Sequence, residues 1–383
     1  SRIALADLNG STGFRINGEA EDDLSGFAVA GAGDINGDGI NDLIIGAWGG
    51  DENGRPNNGA SYVIFGKDTT EDGVSFASSI DVSALDGSDG FRVFGGNSGD
   101  ESGFAVSSAG DINGDGIDDL IIGAPLADSR GNNTGVSYVV FGKNTGEDDV
   151  SFDAEIDLAA LTSAEGFRIT GANNGDQSGI AVAAAGDVNG DNIDDLIIGA
   201  WGTDVNGTTN NGSSYVIFGR NEDNGFAEGV NLARLEAHQG FRIIGEDTND
   251  LSGWAVAAAG DINNDGFDDL IIGAYGHDAN GRLDSGTSYV VFGRDNDHFS
   301  IDATTAELRF KPGEAIYDNN TNGSNDGEYT VTVVASSRSS LPFGTTRTTS
   351  KDYIVEVLEP IMGTDGVTDS GTATYIAGLD EVI

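Results

Sequence analysis

The sequence predicts an all-β protein, a β-propeller of four blades followed by a small β-sandwich-like segment. Three observations predict this class. The 383 residues include 60 glycines and only 5 prolines, which is a turn-rich and strand-rich composition. An acidic motif, DINGDGINDLIIGA at Asp34, recurs in close variants at Asp111, Asp187 and Asp261. The spacings of 77, 76 and 74 residues are too long for a solenoid turn and suit one propeller blade.

Each repeat contains four short runs that are typical of strands. In the first repeat they are GFRI at 13–16, AVAGAG at 28–33, DLIIGA at 42–47 and SYVIFG at 61–66. The runs are rich in Val, Ile, Phe and Tyr and are bounded by Gly, Asn and Asp, as strands between turns are. DLII is an unbroken apolar run, so we expect it to be buried on both faces between neighbouring blades.

The phase of the repeat predicts how the ring closes. Each GFRI-type run follows a linker such as IDVSAL at 80–85, and the chain itself starts with the similar IALADL at 3–8. No fifth GFRI follows the last SYVVFG. We therefore expect the N-terminal strand, residues 1–17, to close the ring by pairing with the last blade, which removes two open edges. The sequence also allows an open row of four blades or half of an eight-bladed dimer.

These boundaries divide the chain into three parts. Residues 1–295 form the propeller, with repeats at about 13–89, 90–165, 166–239 and 240–295. Residues 296–360 form the sandwich-like segment, and residues 361–383, rich in small residues, form a linker or tail.

A loop of the form DxNxDGxxD stands before each DLIIGA-type strand. Side-chain oxygens fall at positions 1, 3, 5 and 9, and a backbone carbonyl is available at position 7. Such a loop can wrap a hard cation that takes about six to eight oxygen ligands. The predicted side-chain ligands are Asp34, Asn36, Asp38 and Asp42; Asp111, Asn113, Asp115 and Asp119; Asp187, Asn189, Asp191 and Asp195; and Asp261, Asn263, Asp265 and Asp269. The predicted backbone ligands are Ile40, Ile117, Ile193 and Phe267.

The pattern predicts about four Ca²⁺ ions, because Mg²⁺ demands a stricter octahedron and keeps its waters. Position 6 must turn sharply, so we expect a positive φ there. Gly occupies it in three repeats, and Asn192 in the other is a residue that tolerates this conformation. The alternative is a set of Asn-Gly and Asp-Gly turns without metal. The presence of oxygen-bearing side chains in every slot of all four copies favours calcium.

Composition argues against several classes of partner. The net charge is −46, from 64 acidic and 18 basic residues, which repels nucleic acid and anionic lipid. Such charge can also serve solubility alone, but its clustering in repeated loops favours metal ions as partners. No apolar run approaches the ~20 residues that cross a bilayer, and no cysteine is available for disulfides. The sequence starts SRIALADLNG, without an initiator Met, so we expect a processed chain or a piece of a longer one.

The sequence predicts no catalytic site. The three histidines, His238, His277 and His298, have no nucleophile or acid at a spacing that suggests a triad. Carboxylates are abundant, but the metal loops account for the repeated ones, and no glycine-rich phosphate loop follows a suitable strand. We therefore expect a protein that is not an enzyme.

The repeats resemble FG-GAP repeats, the blades of the integrin alpha-subunit β-propeller and its bacterial relatives. The resemblance covers about residues 1–295 and is carried by SGFAVAGAGDINGDGINDLIIGAW at 25–48 and its three counterparts. It implies an extracellular module, secreted or at the cell surface, for adhesion or surface structure, with calcium loops that lock the blades. Its partner would be a protein or glycan at a cell surface or matrix. A glycan-binding, lectin-like propeller is the alternative, and a secreted hydrolase or its accessory domain is less favoured.

An aromatic set lies just beyond the DLIIGA-type strands. Trp48, Trp201 and Tyr275 occupy equivalent positions and precede polar loops. They form a candidate ligand face for sugar rings or a partner's side chains. The alternative, which we favour, is that they cover the ends of the blades.

The segment 296–360 resembles the C-terminal half of a cadherin-like domain. Its strand-like runs are FSIDATTAELRF at 299–310, GEYTVTVVAS at 327–336 and KDYIVEVL at 351–358. Half a sandwich exposes strand edges, so we expect self-association through these C-terminal strands, which would make the chain a subunit of a fibre or a larger adhesin.

Overall fold

The computed structural model describes residues 3–71, 73–147, 150–205, 207–221, 226 and 229–293, and five strands beyond them. The described part is all-β, as predicted, with only short 3₁₀ turns at Leu5–Asp7, Glu52–Gly54, Val82–Ala84, Leu232–Arg234 and Ala279–Gly281. None of its helices is long and apolar enough to span a membrane. The chain divides into two compact units, Ser1–Arg294 and Asp295–Ile383.

The strands of the first unit alternate with glycine-rich turns throughout. In chain order they are β1 (Arg15–Asn17), β2 (Ala28–Gly33), β3 (Asp42–Ala47), β4 (Ala60–Ile64), β5 (Ser79–Asp81), β6 (Gly90–Phe94), β7 (Ala105–Gly110), β8 (Asp119–Ala124), β9 (Val136–Val140), β10 (Glu155–Asp157), β11 (Gly166–Thr170), β12 (Ala181–Gly186), β13 (Asp195–Ala200), β14 (Ser213–Ile217), β15 (Val230–Asn231), β16 (Gly240–Ile244), β17 (Ala255–Gly260), β18 (Asp269–Ala274) and β19 (Thr287–Val291).

The four repeats form four antiparallel blades. The first blade has the order β2-β3-β4-β6, the second β7-β8-β9-β11, the third β12-β13-β14-β16, and the fourth, in the described residues, β17-β18-β19. The inner strands β2, β7, β12 and β17 are neighbours in that order. All four predicted strand types are therefore present, and the GFRI-type run of one repeat is the outer strand of the preceding blade.

The linker strands add a feature that the sequence did not predict. β10 pairs in parallel with β6, and β15 pairs in parallel with β11, so each becomes a fifth strand on the preceding blade. Repeats 2 and 3 therefore each build three strands of their own blade and both outer strands of the blade before it, whereas repeat 4, in the described residues, adds only β16 to blade 3. These short pairs depend on a neighbouring blade and leave little local signal in the sequence.

The strand pairs of the described residues do not include the expected ring closure. The first GFRI run, β1, pairs in parallel with β5 and not with the last blade. Among the described residues no strand pairs with the outer edge of β19. Within the described residues the sheets are therefore not closed into a ring, and an open row of four blades is one of the alternatives that the sequence allowed.

The core lies between the blades. One apolar cluster joins blades 1 and 2, a second joins blades 2 and 3, and a third joins blades 3 and 4. A further cluster packs Ile16 and Ile80, from β1 and β5, against blade 1. All six residues of β8 and of β13 are buried, as predicted for the DLIIGA-type strands. The strands β3 and β18 of the two terminal blades each have one exposed apolar side chain, Leu43 and Ile271.

The second unit contains short strands at the predicted runs. They are β20 (Phe299–Ile301), β21 (Glu307–Phe310), β22 (Glu328–Val333), β23 (Lys351–Glu356) and β24 (Ala373–Thr374). The described strands form two antiparallel groups, β20-β21-β24 and β22-β23. β24 lies within the segment that was predicted to be a linker or tail. The cadherin-like resemblance and the association through these strands stay predictions.

Candidate metal loops

The acidic loops all occupy the same place in their blades. Each connects the inner strand to the second strand, and the hairpin register shifts by one residue just before the loop, as between Gly31 and Gly33. Positions 1 to 9 are counted below from the first Asp of each loop. Because the hairpins are equivalent, the four predicted ligand sets lie at four equivalent sites.

The side chain at position 1 folds back over its own loop. Asp34 accepts hydrogen bonds from the backbone N–H of Asp38 at 3.0 Å and of Gly39 at 2.7 Å. Asn36 also accepts from the Asp38 N–H, at 2.9 Å, and Asp38 accepts from Ile40 at 2.8 Å. The other three loops repeat these four bonds. The side chains at positions 1, 3 and 5 therefore converge on one turn of backbone.

The prediction of a positive φ at position 6 is confirmed. φ is 87° at Gly39, 88° at Gly116, 64° at Asn192 and 94° at Gly266. Position 4 is left-handed as well, and Asn264 with φ 61° replaces glycine there in the fourth loop. Both turns bring backbone amides toward the position 1 carboxylate.

The Asp at position 9 anchors the loop to the third strand. The Asp42 carboxylate is buried and accepts from the N–H of Ile35 at 3.0 Å and of Gly66 at 2.7 Å. Asp119, Asp195 and Asp269 make the same two bonds in their blades. This group was predicted only as a ligand, and the structure gives it a second role in joining the loop to the end of the SYVIFG run.

Burial makes three of these carboxylates, those of Asp42, Asp119 and Asp195, hard to ionise. Desolvation raises the pKa of Asp42 to about 6, and the nearby charges of Asp38 and Asp34 act in the same direction. Desolvation likewise raises the pKa of Asp195 to about 8 and places the pKa of Asp119 well above its usual range. A dication beside them would favour the ionised form.

The Asp at position 8 reaches the preceding blade, which sequence reasoning did not foresee. Asp118 accepts from the N–H of Asp34 at 2.8 Å, and Asp194 accepts from that of Asp111 at 3.0 Å. Asp268 accepts from the N–H of Asp187 at 3.0 Å. The partners are more than 80 residues apart, so only the packing of the blades reveals the pairing.

The donor chemistry of the loops fits a hard cation. At positions 1, 3, 5 and 9 each loop presents three carboxylates and one amide, and these oxygens are the ligands that Ca²⁺ prefers. A carboxylate oxygen that accepts one N–H keeps further lone pairs. In the part of the chain that the structure describes, no three His, Asp or Glu side chains already stand at a spacing that would hold a metal ion. The calcium assignment therefore stays a prediction.

The predicted aromatic set separates into two clusters. Trp201 packs edge-on against Trp254, with ring centroids 5.7 Å apart, and Tyr275 packs on the same Trp254 at 5.1 Å. Trp48 packs instead near Phe27, at 6.0 Å. Trp254 and Phe27 were not in the predicted set, although both occupy the residue after Ser-Gly in their repeats. Trp48 and Trp201 are half-buried and Tyr275 is exposed, so the cluster with Tyr275 is the more accessible candidate ligand face.

A second repeated aspartate was also missed. Asp23, Asp100, Asp176 and Asp250 are buried just before each Ser-Gly pair. Each accepts a hydrogen bond from the N–H three residues before it. The fixed position before Ser-Gly was the available signal, and local turn formation explains it.

These features define the class: an all-β repeat protein of the propeller type, with an acidic loop at the inner hairpin of every blade. The FG-GAP repeat family matches residues 25–64, 102–140, 178–217 and 252–291. The chain therefore carries an FG-GAP β-propeller array of four repeats, as the resemblance implied.

The relatives of this chain include integrin alpha chains and a phospholipase D. Integrin alpha pat-2 of Caenorhabditis briggsae is 29% identical over 263 residues, 67% of this chain and 18% of the relative. Integrin alpha-5 of Xenopus laevis is 28% identical over 212 residues, 55% of this chain and 17% of the relative. Phosphatidylinositol-glycan-specific phospholipase D of Bos taurus is 33% identical over 173 residues, 45% of this chain and 18% of the relative. The chain spans less than a fifth of the length of each of these relatives.

Proposed function

We propose that residues 1–294 form a calcium-stabilised binding module of an extracellular or cell-surface protein, acting in adhesion or surface structure. The observation that carries the proposal is the fourfold recurrence of one loop, with the same oxygen donors, the same internal hydrogen bonds and the same place in each blade. A ligand set that served only as a turn would not need three carboxylates in every copy, because like charges within one loop repel each other.

The proposed role of calcium is to lock the blades. The position 9 carboxylate joins the loop to the third strand, and the position 8 carboxylate joins the loop to the preceding blade. An ion at positions 1, 3, 5 and 9 would neutralise the loop from which both links start. Removal of calcium would therefore loosen contacts within and between blades.

The relatives support a protein partner at a surface. Two of them are integrin alpha chains by name, and this chain matches the FG-GAP repeat family at four places. We infer a module that binds rather than catalyses, because the fourfold acidic residues are engaged in loop hydrogen bonds. The exposed cluster of Trp254 and Tyr275 is the proposed ligand face.

A second candidate is an accessory propeller of a secreted hydrolase. The similarity to a phosphatidylinositol-glycan-specific phospholipase D favours it, since 173 residues of this chain are 33% identical to that enzyme. In this case the propeller would bind a substrate-bearing surface while another domain carried the chemistry.

The metal proposal is tested by counting bound metal and following thermal unfolding on one preparation. We expect about four Ca²⁺ per chain and a marked loss of stability after chelation, which Mg²⁺ restores poorly. The variant Asp115→Ala should bind about one ion fewer. Asp153→Ala, which removes an exposed carboxylate outside the loops, is the matched control and should bind the full number. A metal-free protein with unchanged stability would overturn the proposal.

The binding role is tested with the calcium-loaded chain on immobilised matrix proteins and on a glycan array. We expect binding to a protein surface that is weakened by Tyr275→Ala. Binding to glycans alone would favour the lectin alternative. Binding to neither would contradict the proposed ligand face.

A further inference from the structure

Every junction between consecutive blades in this chain is built in the same way. The trailing face of blade 1, with Ile44 and Val63, packs against the leading face of blade 2, with Val106 and Leu120. The junctions between blades 2 and 3 and between blades 3 and 4 use the corresponding residues. The same positions of the repeat therefore form all three junctions, with the trailing face of one blade packed against the leading face of the next.

The two terminal blades each leave one of these faces open. On the trailing face of blade 4, Ile271, Val290 and Phe292 are 38%, 44% and 56% exposed, whereas their counterparts in blade 3 are buried. On the leading face of blade 1, Val29 and Leu43 are 69% and 40% exposed. These are the two halves of the junction that the chain forms three times internally.

The strand edges at the two ends are complementary as well. In blades 1 to 3 the third strand pairs antiparallel with a GFRI-type strand, so that Tyr215 lies opposite Arg242. In blade 4 the third strand, β19, has no such partner among the described residues, while β1 carries a GFRI sequence that lies outside any four-stranded blade. The same register would place Arg15 opposite Tyr289.

Close backbone contacts at the junctions show more directly which strand positions are covered by a neighbouring blade. A Cβ at Gly46, Gly123 or Gly199 would lie 2.0, 2.0 or 1.8 Å from a carbonyl oxygen of the next blade, so only glycine fits there. At the equivalent Gly273 the nearest atom is the Cβ of Ala255 at 3.5 Å, and there is room for a side chain. Blade 4 thus keeps a glycine that its own surroundings do not require.

We propose that the trailing face of blade 4 binds the leading face of blade 1 of a second copy of this chain, head to tail. The second copy supplies β1 as the missing outer strand of blade 4, and its Gly26 carbonyl approaches Gly273. Its Asn41, which replaces the position 8 aspartate of the other blades, accepts from the Asp261 N–H.

A second copy is the occupant that the geometry favours over closure within one chain. Both faces are exposed in the same molecule, so three junctions of this geometry do not bring the ends together. Two copies supply eight blades, which is within the usual range of about four to eight for a propeller. A heterologous contact gives a ring when its rotation closes and an open filament when it does not, and the proposal is the closed ring of two copies. The proposal does not depend on calcium binding or on the adhesion role.

The first test is sedimentation of the full chain and of two glycine variants. We expect the natural chain to sediment as a dimer and Gly273→Ala as a monomer with an unchanged or slightly higher thermal midpoint. Gly31→Ala is the matched control, because Ser108, Ala184 and Ala258 already carry a Cβ at that position in the internal junctions. It should remain a dimer. A monomeric natural chain, or a dimeric Gly273→Ala variant, overturns the proposal.

A mixing experiment tests whether the contact is head to tail. Val29→Glu places a charge on the leading face, and it should be monomeric and folded because Val29 is exposed in the single chain. Mixed with Gly273→Ala, each variant keeps one intact end, so one junction should form and restore a dimer at raised protein concentration. A mixture that stays monomeric contradicts the head-to-tail contact.

Discussion

At the scale of residues, burial raises the pKa of the aspartate at position 9 in three of the four loops. In the metal-free protein the folded-state pKa of Asp195 is about 8, above its ordinary value of 3.8, because burial disfavours the charge. A group whose pKa is raised in the folded state contributes its full stability when the pH is below its ordinary, unfolded-state pKa. This contribution disappears as the pH rises through the folded-state pKa. The ionisation of Asp195 therefore lowers the unfolding free energy of the metal-free protein as the pH rises from about 4 to 8.

We predict that the thermal unfolding midpoint of the metal-stripped protein is lower at pH 8 than at pH 5. Bound calcium should abolish most of this decrease. Thermal unfolding by circular dichroism at both pH values, with and without calcium, measures this. Asp195→Asn, which cannot ionise, should show a smaller fall than the natural chain without metal. An equal fall in both would assign the effect to overall charge repulsion instead.

Position 6 of the loop allows a test of the backbone strain that a side chain causes at a positive φ. A Cβ on Gly116 would contact nothing within 4 Å, so only its φ of 88° resists substitution. We predict that Gly116→Val costs about 1–2 kcal/mol of unfolding free energy, whereas Gly116→Asn costs less, as Asn192 indicates. Urea unfolding of the calcium-free proteins measures both. Equal costs would mean that backbone strain is not the determinant.

Residues whose partners are close in sequence were the predictable ones. The left-handed φ at Asn192 follows from a pattern of nine residues, and it was predicted. The hydrogen bond that the Asp34 N–H donates to the Asp118 carboxylate joins two blades across 84 residues of sequence, and no local pattern predicts it. The same holds for the contact between Trp201 and Trp254, which joins two repeats.

At the scale of elements, the second strand of each blade sets the spacing to the next blade. A Cβ at Gly199 would lie 1.8 Å from the Gly253 carbonyl oxygen, and backbone atoms cannot easily move away. We predict that Gly199→Ala lowers the unfolding free energy by about 2–3 kcal/mol or more. Gly31→Ala, also in a strand but with open space around the new methyl group, should be neutral or slightly stabilising. Comparable urea midpoints for the two variants would contradict the assigned role of Gly199.

Strand identity was predictable, but strand pairing was only partly so. The DLIIGA and SYVIFG runs were recognised because they are apolar, repeated and bounded by turns. The linker strands such as Glu155–Asp157 are too short to carry a pattern, and their partner lies on another blade. Their existence depends on packing rather than on local preference.

At the scale of the whole molecule, terminal blades pack on one side and interior blades on two. We predict that in the monomeric Gly273→Ala variant the amides of β18 and β19 exchange hydrogen faster than those of β8 and β13, because local opening there exposes fewer packed groups. Hydrogen exchange followed by mass spectrometry measures the difference. In the natural chain the proposed dimer should slow exchange in β19. Uniform protection of all blades in the variant would contradict this.

The number of blades was readable from the sequence, but the closure of the array was not. Closure depends on the angle between successive blades, which the close approach of Gly46, Gly123 and Gly199 to the next blade helps to set. A repeat pattern counts the blades, whereas only the assembled junctions show whether the ends meet. The pairing of the first GFRI run with the last blade depends on that angle, which no local pattern of residues records.

The sharing of outer strands between repeats also bears on how such an array changes over evolutionary time. Repeats 2 and 3 each bring both outer strands for the blade before them and three inner strands of their own blade, and repeat 4 brings one outer strand for blade 3. Duplication or deletion of one repeat in the gene would insert or remove a whole blade, and every interior blade would keep its full complement of strands. Unequal recombination can therefore lengthen or shorten the array in whole blades without an intermediate that has a half-built sheet.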